Sequence, residues 1–423
     1  MIKHICTILS ISCLICIKAT GQADNDIVSV KDAIKANRDK VYHNIVSNSI
    51  TKNLSLPLTD NTEENWQDAF YALELINYRS PWIEERVRLA FESVEKRSID
   101  FQRALLELAY ANYKGKFVRA VNTLMQKTPD SKIFAMAAEY YLSSSQTKDA
   151  WNEVVKIFTK RPDMDKGIPA YYGLLTKLIP GYSEIKDLSA FFNDLKNAIP
   201  GQILLLSLQR KNRDYPGIVL VRNASGNFIT DETGNIFAVS QLARSINNLP
   251  FYLTNGNTPQ GIFRMKGFEV SKSMAIGPTT NIQLIMPFEV SPQYFLNDPT
   301  ITDNTWTEDL YQKLLPENLK EYSPLYESYF AGKMGRTEII AHGTTVNPEF
   351  YKNQPFYPLT PTEGCLSTKE IWSTVDGRRL ISDQQKLVDA LKKAGGADGY
   401  CIVIEIDDQQ RPVILDDILK YLK

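Results

Sequence analysis

The sequence predicts a multidomain α+β protein, an all-α helical stretch followed by a mostly β domain. Three observations carry this. Apolar residues recur at three- and four-residue steps from about Glu63 to Leu195. That pattern stops at Ile199-Pro200, and short apolar runs separated by Gly, Asn and Pro turns follow. At 423 residues the chain is also too long for one average core. The expected parts are an export signal at 1–23, a linker and first helix at 24–62, a helical, solenoid-like domain at 63–199 and the β domain at 200–423.

The N-terminus has a basic start at Lys3 and an apolar run from Ile5 to Ile17, too short to span a bilayer. Gly21 and Ala23 supply the small residues of a cleavage site before Asp24. The expectation is an exported protein, periplasmic or in the cell envelope, with no stable membrane insertion after cleavage. A net charge of −1 and no Lys/Arg cluster interleaved with aromatics argue against nucleic acid as a partner.

In the helical stretch, Trp66, Ala69, Phe70, Leu73 and Ile76 form one apolar face. The periodicity returns in Ile83–Val94, Phe101–Tyr113, Val118–Met125, Ile133–Leu142 and Trp151–Phe158. Turn and capping residues such as Ser80-Pro81, Lys114-Gly115 and Pro129-Asp130 separate them. Stacked short helices suit a scaffold or the docking of a protein partner.

Strands are expected at Gly201–Leu208, Gly217–Val221, Phe251–Leu253, Gly261–Met265, Ile282–Met286, Glu338–Ala341 and Tyr400–Ile406. Helices are expected at Glu308–Tyr329 and Asp383–Ala394, with Asp383 capping the second.

The chemistry-bearing residues are few. Of three His, His4 falls in the signal and His43 near the mature N-terminus, which leaves His342. Losing Cys6, Cys13 and Cys16 with the signal leaves Cys365 and Cys401. A thiol becomes a nucleophile when a nearby base makes the thiolate, so Cys365 and His342 read as a cysteine acyl-transfer pair. Cys401 lies in the apolar run Tyr400–Ile406 and reads as core. In an oxidising compartment the competing reading is a Cys365–Cys401 disulfide in a non-catalytic envelope scaffold. A zinc site is rejected because no closely spaced ligand pair exists.

Three strings stand in order on the β domain: Asn257-Thr258-Pro259-Gln260-Gly261-Ile262-Phe263, His342-Gly343-Thr344 and Glu363-Gly364-Cys365-Leu366. Together they resemble the L,D-transpeptidase catalytic domain (YkuD family) of bacterial cell-wall enzymes, over roughly residues 201–410. The resemblance implies thioester chemistry on peptidoglycan stem peptides without a metal or organic cofactor. The alternative is an L,D-carboxypeptidase or amidase-type hydrolase using the same site. Cys365 would be the nucleophile and His342 the base, with Thr344 orienting the imidazole. Gly343 would free the backbone at the strand end. Gly364 would support an oxyanion hole built from the N–H groups around Gly364 and Cys365.

The departures define further candidates. Glu363 stands where the family usually has His, and is expected to meet a substrate ammonium or a local Arg. Ser367 stands where Arg or Asn is common, so Arg378 or Arg379 is expected to substitute in binding the substrate carboxylate. The separation of 23 positions between His342 and Cys365 exceeds the usual one. The aromatic- and Pro-rich segment Val346–Pro361 that fills it is expected to form a lid. The Thr258–Gly261 turn is expected to shape the donor groove.

Overall fold

The computed structural model describes residues 28–145, 147–164, 171, 173–174, 185 and 187–422. The export signal expected at 1–23 lies outside them. Among the described residues no helix is long and apolar enough to cross a membrane.

The architecture is α+β. Helices dominate to residue 196, and an eight-stranded closed barrel organises the remainder. Chain entry is a short strap: Val30 N donates to Gly377 O at 2.9 Å and Lys35 N to Thr374 O at 2.8 Å. Helix Lys35–Asn44 follows, passing into a π-helical segment, Ile45–Lys52. His43 is exposed there.

The helices Glu63–Leu75, Pro81–Glu92, Ile99–Asn112, Val118–Lys127, Ser131–Ser145 and Lys148–Phe158 follow, and the packing largely skips one helix: Ile99–Asn112 lies between Glu63–Leu75 and Ser131–Ser145, and Ser131–Ser145 also packs against Val118–Lys127 and Lys148–Phe158. Their boundaries are set by side-chain caps. Ser80 accepts from Ile83 N, Ser98 from Phe101 N and Thr147 from Ala150 N. The periodic residues bury as read: Trp66, Ala69, Phe70 and Leu73 are all fully enclosed.

Ten strands follow: β1 (Ile203–Arg210), β2 (Gly217–Arg222), β3 (Ala238–Leu242), β4 (Gly261–Glu269), β5 (Asn281–Ile285), β6 (Ile340–His342), β7 (Leu366–Thr368), β8 (Glu370–Trp372), β9 (Arg379–Ser382) and β10 (Asp398–Asp407). The barrel runs β1-β10-β4-β5-β6-β7-β3-β2 and closes back on β1, with β8 and β9 as a separate hairpin. Closure leaves no free edge, and β1 and β2 bury every residue. Two contacts are parallel, β1 with β10 and β6 with β7.

Several expectations are corrected. Phe251–Leu253 is a turn, because Leu253 N closes on Pro250 O at 3.0 Å. The expected helix Glu308–Tyr329 is broken by Pro316 and Pro324 into short pieces, ending in helix Glu327–Lys333. Helix Asp383–Ala394 is capped by Ser382, which accepts from Gln385 N at 2.9 Å. Asp383 instead pairs with Lys386 from the first turn. The three-residue strands β6 and β7 and the hairpin β8–β9 are too short to show a two-residue alternation.

Candidate active site

The parallel register sets His342 opposite Ser367 and Ala341 opposite Leu366. Carried back one residue, it sets Cys365 opposite Ile340. Directly opposed residues share a face, and so do residues two apart along a strand. Cys365 and His342 therefore project from one face of adjacent strands, with Cα atoms roughly 8 Å apart by strand spacing and rise. Leu366 and Ala341 point the other way, into the core.

Gly364 shapes the loop that carries Cys365. Its φ of +113° is open to glycine, and a Cβ there would lie 2.3 Å from Arg336 Nη2 and 2.7 Å from Gly256 O. The loop is tied from two sides. Thr258 Oγ1 donates to Gly364 O at 2.8 Å, and Thr362 Oγ1 donates to Cys365 O at 2.9 Å. Thr258 thus holds the Cys365 loop, a task the turn reading did not anticipate.

The oxyanion expectation is narrowed. Gly364 N–H is committed to Thr362 Oγ1 at 3.1 Å. Among the described residues no turn or loop hydrogen bond occupies Cys365 N–H.

The sulfur of Cys365 lies 3.6 Å from the carbonyl of Glu338, a residue held at φ +62°. Burial pushes the thiol up to about 11, and the charges of Glu363 and Glu338 push the same way. The Ile340 N–H and the Arg336 guanidinium oppose them. Arg336 is the cation the sequence reading missed. Its Nη1 donates to Phe251 O and to Asn257 O, the latter at 3.0 Å, and its Nη2 donates to Gly256 O at 3.0 Å. Burial brings Arg336 down to about 10.

His342 is buried, and burial lowers it to about 4. Its Nδ1 meets the carbonyl of Gly343, which keeps the proton on Nδ1 and leaves Nε2 as the basic nitrogen. No hydrogen bond joins the imidazole to Cys365 in the resting fold. The resting pair at neutral pH is thus thiol and neutral imidazole.

Thr344 does not orient the ring. Its hydroxyl accepts from Thr360 Oγ1 at 2.8 Å and from Val346 N at 3.1 Å. The Gly343 carbonyl performs that task. Gly343 is glycine because a Cβ would lie 2.2 Å from a Glu370 carboxylate oxygen. Glu370, also missed, accepts from Thr344 N at 3.0 Å, Thr279 Oγ1 at 2.6 Å and Ser382 Oγ at 2.6 Å. Trp372 Nε1 donates to Thr344 O at 2.8 Å. The His-Gly-Thr segment is thereby fixed on the β8–β9 hairpin.

The carboxylate-binding expectations are corrected as well. Ser367 is fully buried and donates to Thr360 O at 2.7 Å. Arg379 donates to Thr279 Oγ1 at 2.9 Å, and Arg378 pairs with Asp376 at 2.6 Å on the hairpin turn. Both belong to the hairpin, whereas the guanidinium beside Cys365 is that of Arg336. Glu363 is exposed at the mouth.

The segment 346–361 is packed. Tyr351, Phe356 and Leu359 cluster with Leu242 of β3, and Tyr351 Oη donates to Leu75 O in the helical half at 2.6 Å. Cys401 is buried in β10 and both thiols are free. In the ring of strands β10 and β7 stand opposite each other, with three strands between them either way round. The Cα–Cα separation a disulfide needs, under about 7 Å, is therefore not met.

A surface hollow of about 460 Å³ is lined by residues including Arg264, Tyr294, Asn297 and Asp398, none of them from this site. No protein-family model, curated protein or solved structure matches the chain.

Proposed function

We propose that the protein is an exported cysteine acyl-transferase of the L,D-transpeptidase type, acting on peptidoglycan stem peptides. One observation carries this reading: the parallel register of β6 and β7, carried back to Cys365 just before β7, sets Cys365 on the same face as His342, with Nε2 left free by the Nδ1 contact. The order of the three resembling strings supports the substrate class.

In the reaction, His342 Nε2 takes the thiol proton as Sγ attacks the carbonyl carbon of the donor peptide. Cys365 N–H stabilises the oxyanion, a contact worth about 3 kcal/mol. The scissile C–N bond breaks, the leaving amine takes the proton from His342, and a thioester remains. An acceptor amine then attacks the thioester carbon and gives a proton to His342 Nε2, a new C–N bond forms, the C–S pair returns to sulfur, and the sulfur takes the proton from His342. Free thiols at Cys365 and Cys401 favour this reading over the scaffold alternative.

Intact-mass measurement of the full chain incubated with a tetrapeptide stem tests this reading. The expected result is one acyl adduct that Cys365→Ala abolishes and that His342→Gln slows at least a hundredfold. An adduct surviving Cys365→Ala, or none in wild type, contradicts the reading.

A further inference from the structure

The hollow of about 460 Å³ opens over strands β4 and β10, where the acyl-transfer chemistry uses no residue. The β4–β10 register pairs Arg264 with Tyr400 and Lys266 with Asp398. Directly opposed residues share a face, as do residues two apart along a strand, so these four stand on one face. Lys266 and Asp398 are exposed there, whereas Arg264 is 6 % exposed and lies over the Tyr400 ring. The short helix Pro292–Leu296 and Asn297, which ends it, bring Tyr294 and Asn297 to the rim. Tyr400 Oη donates to Phe295 O at 2.9 Å and ties that helix to β10. The chain leaves helix Asp383–Ala394 at the same hollow through Gly395 and Gly396, at φ +119° and +118°. A Cβ on Gly396 would meet no atom within 4 Å, so the glycine its backbone requires also leaves that space open.

The Arg264 guanidinium is only partly satisfied. Its Nη2 donates to Asp398 Oδ1, while its Nη1 is buried with no acceptor among the described residues. Buried polar groups are nearly always paired, and an unpaired charged donor is unfavourable. Asp398 is a loosely held partner. Its side chain is 83 % exposed, and a carboxylate so placed gains little from the pair and can turn out into water. The lining holds two cations, Arg264 and Lys266, against that one carboxylate. Tyr294 shows an exposed ring beside them, and Asn297 offers an amide. The aliphatic lining residues, Met265 and Ala397, are buried, so a purely apolar ligand finds little to cover.

We propose that this hollow binds an acidic sugar, a hydroxylated ring that carries a carboxylate. The ligand carboxylate displaces Asp398 and takes Nη1 and Nη2 of Arg264 as a fork, with the Lys266 ammonium beside it. The sugar ring lies against the exposed Tyr294 ring, and its hydroxyls exchange hydrogen bonds with the Asn297 amide. The volume stands at the lower end of small-molecule pockets, which run from roughly 300 to 1,000 Å³, and suits one or two rings. The proposal stands independently of the acyl-transfer reading, because the two sites share no residue.

The test is a calorimetric titration of the full chain with glucuronate, and with glucose, acetate and benzoate as controls. Glucuronate is expected to bind about tenfold tighter or more than each control. Lys266→Ala and Tyr294→Ala are each expected to weaken it about fivefold or more. Both residues are exposed, so these variants keep the fold where a change at buried Arg264 endangers it. Asp398→Asn removes the competing carboxylate and is expected to tighten glucuronate binding about threefold or more, an effect that a purely structural ion pair does not give. Glucuronate binding no tighter than glucose or acetate, or not at all at millimolar concentration, overturns the proposal. Benzoate binding as tightly as glucuronate overturns the assignment to a sugar, and weaker binding by Asp398→Asn overturns the displacement. Cys365→Ala is expected to leave the affinity unchanged, and its loss there would place the ligand at the other site.

Discussion

At the scale of single residues, the site depends on atoms that have no room to move. Gly364→Ala combines a left-handed φ with contacts of 2.3 Å to Arg336 and 2.7 Å to Gly256 O. Strain of about 1–3 kcal/mol is expected, with the loop re-aimed and acylation lowered at least a hundredfold. Intact-mass kinetics beside a thermal melt would separate the two effects. The resting ionisation gives a second expectation. With the thiol near 11 and the imidazole near 4, no thiolate–imidazolium pair is populated at neutral pH. Alkylation of Cys365 by iodoacetamide is expected to rise about tenfold per pH unit from 7 to 10. A plateau between pH 5 and 8 would show a preformed ion pair instead. Burial of His342 also bears on stability. Its folded value lies below the unfolded one, near 6.5, so its contribution is complete above about pH 6.5 and is lost as pH falls toward 4, by roughly 3 kcal/mol. His342→Gln is expected to flatten that acid limb in melts across pH 4–7.

At the scale of elements, the long ones were legible and the short ones were not. Helices Ile99–Asn112 and Ser131–Ser145 and strands β1 and β10 carry enough periodic residues to be read directly. Strands β6 and β7 have three residues each, and their existence depends on pairing with each other. Cys365 and His342 were legible because Cys and His are rare here. Arg336 and Glu370 were not, because their meaning lies in contacts that sequence distance hides: Gly256 is 80 positions from Arg336, and Thr279 is 91 from Glu370. The Thr258 turn shows the same limit, since its hydroxyl reaches Gly364 across 106 positions. Thr258→Val keeps the shape and removes that bond. Stability is expected to fall by about 1 kcal/mol, while acylation falls more steeply because the loop is no longer tied there. An equal loss in both would mean a purely structural hydroxyl. Glu74→Gln has the opposite signature. Burial and its acidic neighbours raise Glu74, so its contribution falls as pH rises past the ordinary carboxylate range. The variant is expected to melt higher than wild type at pH 8, with a smaller gain at pH 5.

At the scale of the whole molecule, one contiguous hydrophobic cluster runs from Ile45 in the first helical segment to Leu422 at the end of the chain. Polar contacts cross the same boundary, including Tyr252 Oη to Glu139, Lys132 to Thr254 and Tyr351 to Leu75 O. The strap at Val30 pins the chain entry to the β8–β9 hairpin that also holds the His-Gly-Thr segment. The helical half and the barrel therefore share one core. Calorimetry of the full chain is expected to show a single unfolding transition, and two separated transitions would contradict a shared core.

The most direct test of the central claim is mass spectrometry of purified tetrapeptide muropeptides incubated with the full chain, wild type beside Cys365→Ala. Cross-linked dimers formed by wild type and absent with Cys365→Ala are the expected result. Shortened stems without dimers would replace transfer by hydrolysis. No conversion at all, on a substrate that an active L,D-transpeptidase does cross-link, would contradict the acyl-transferase account.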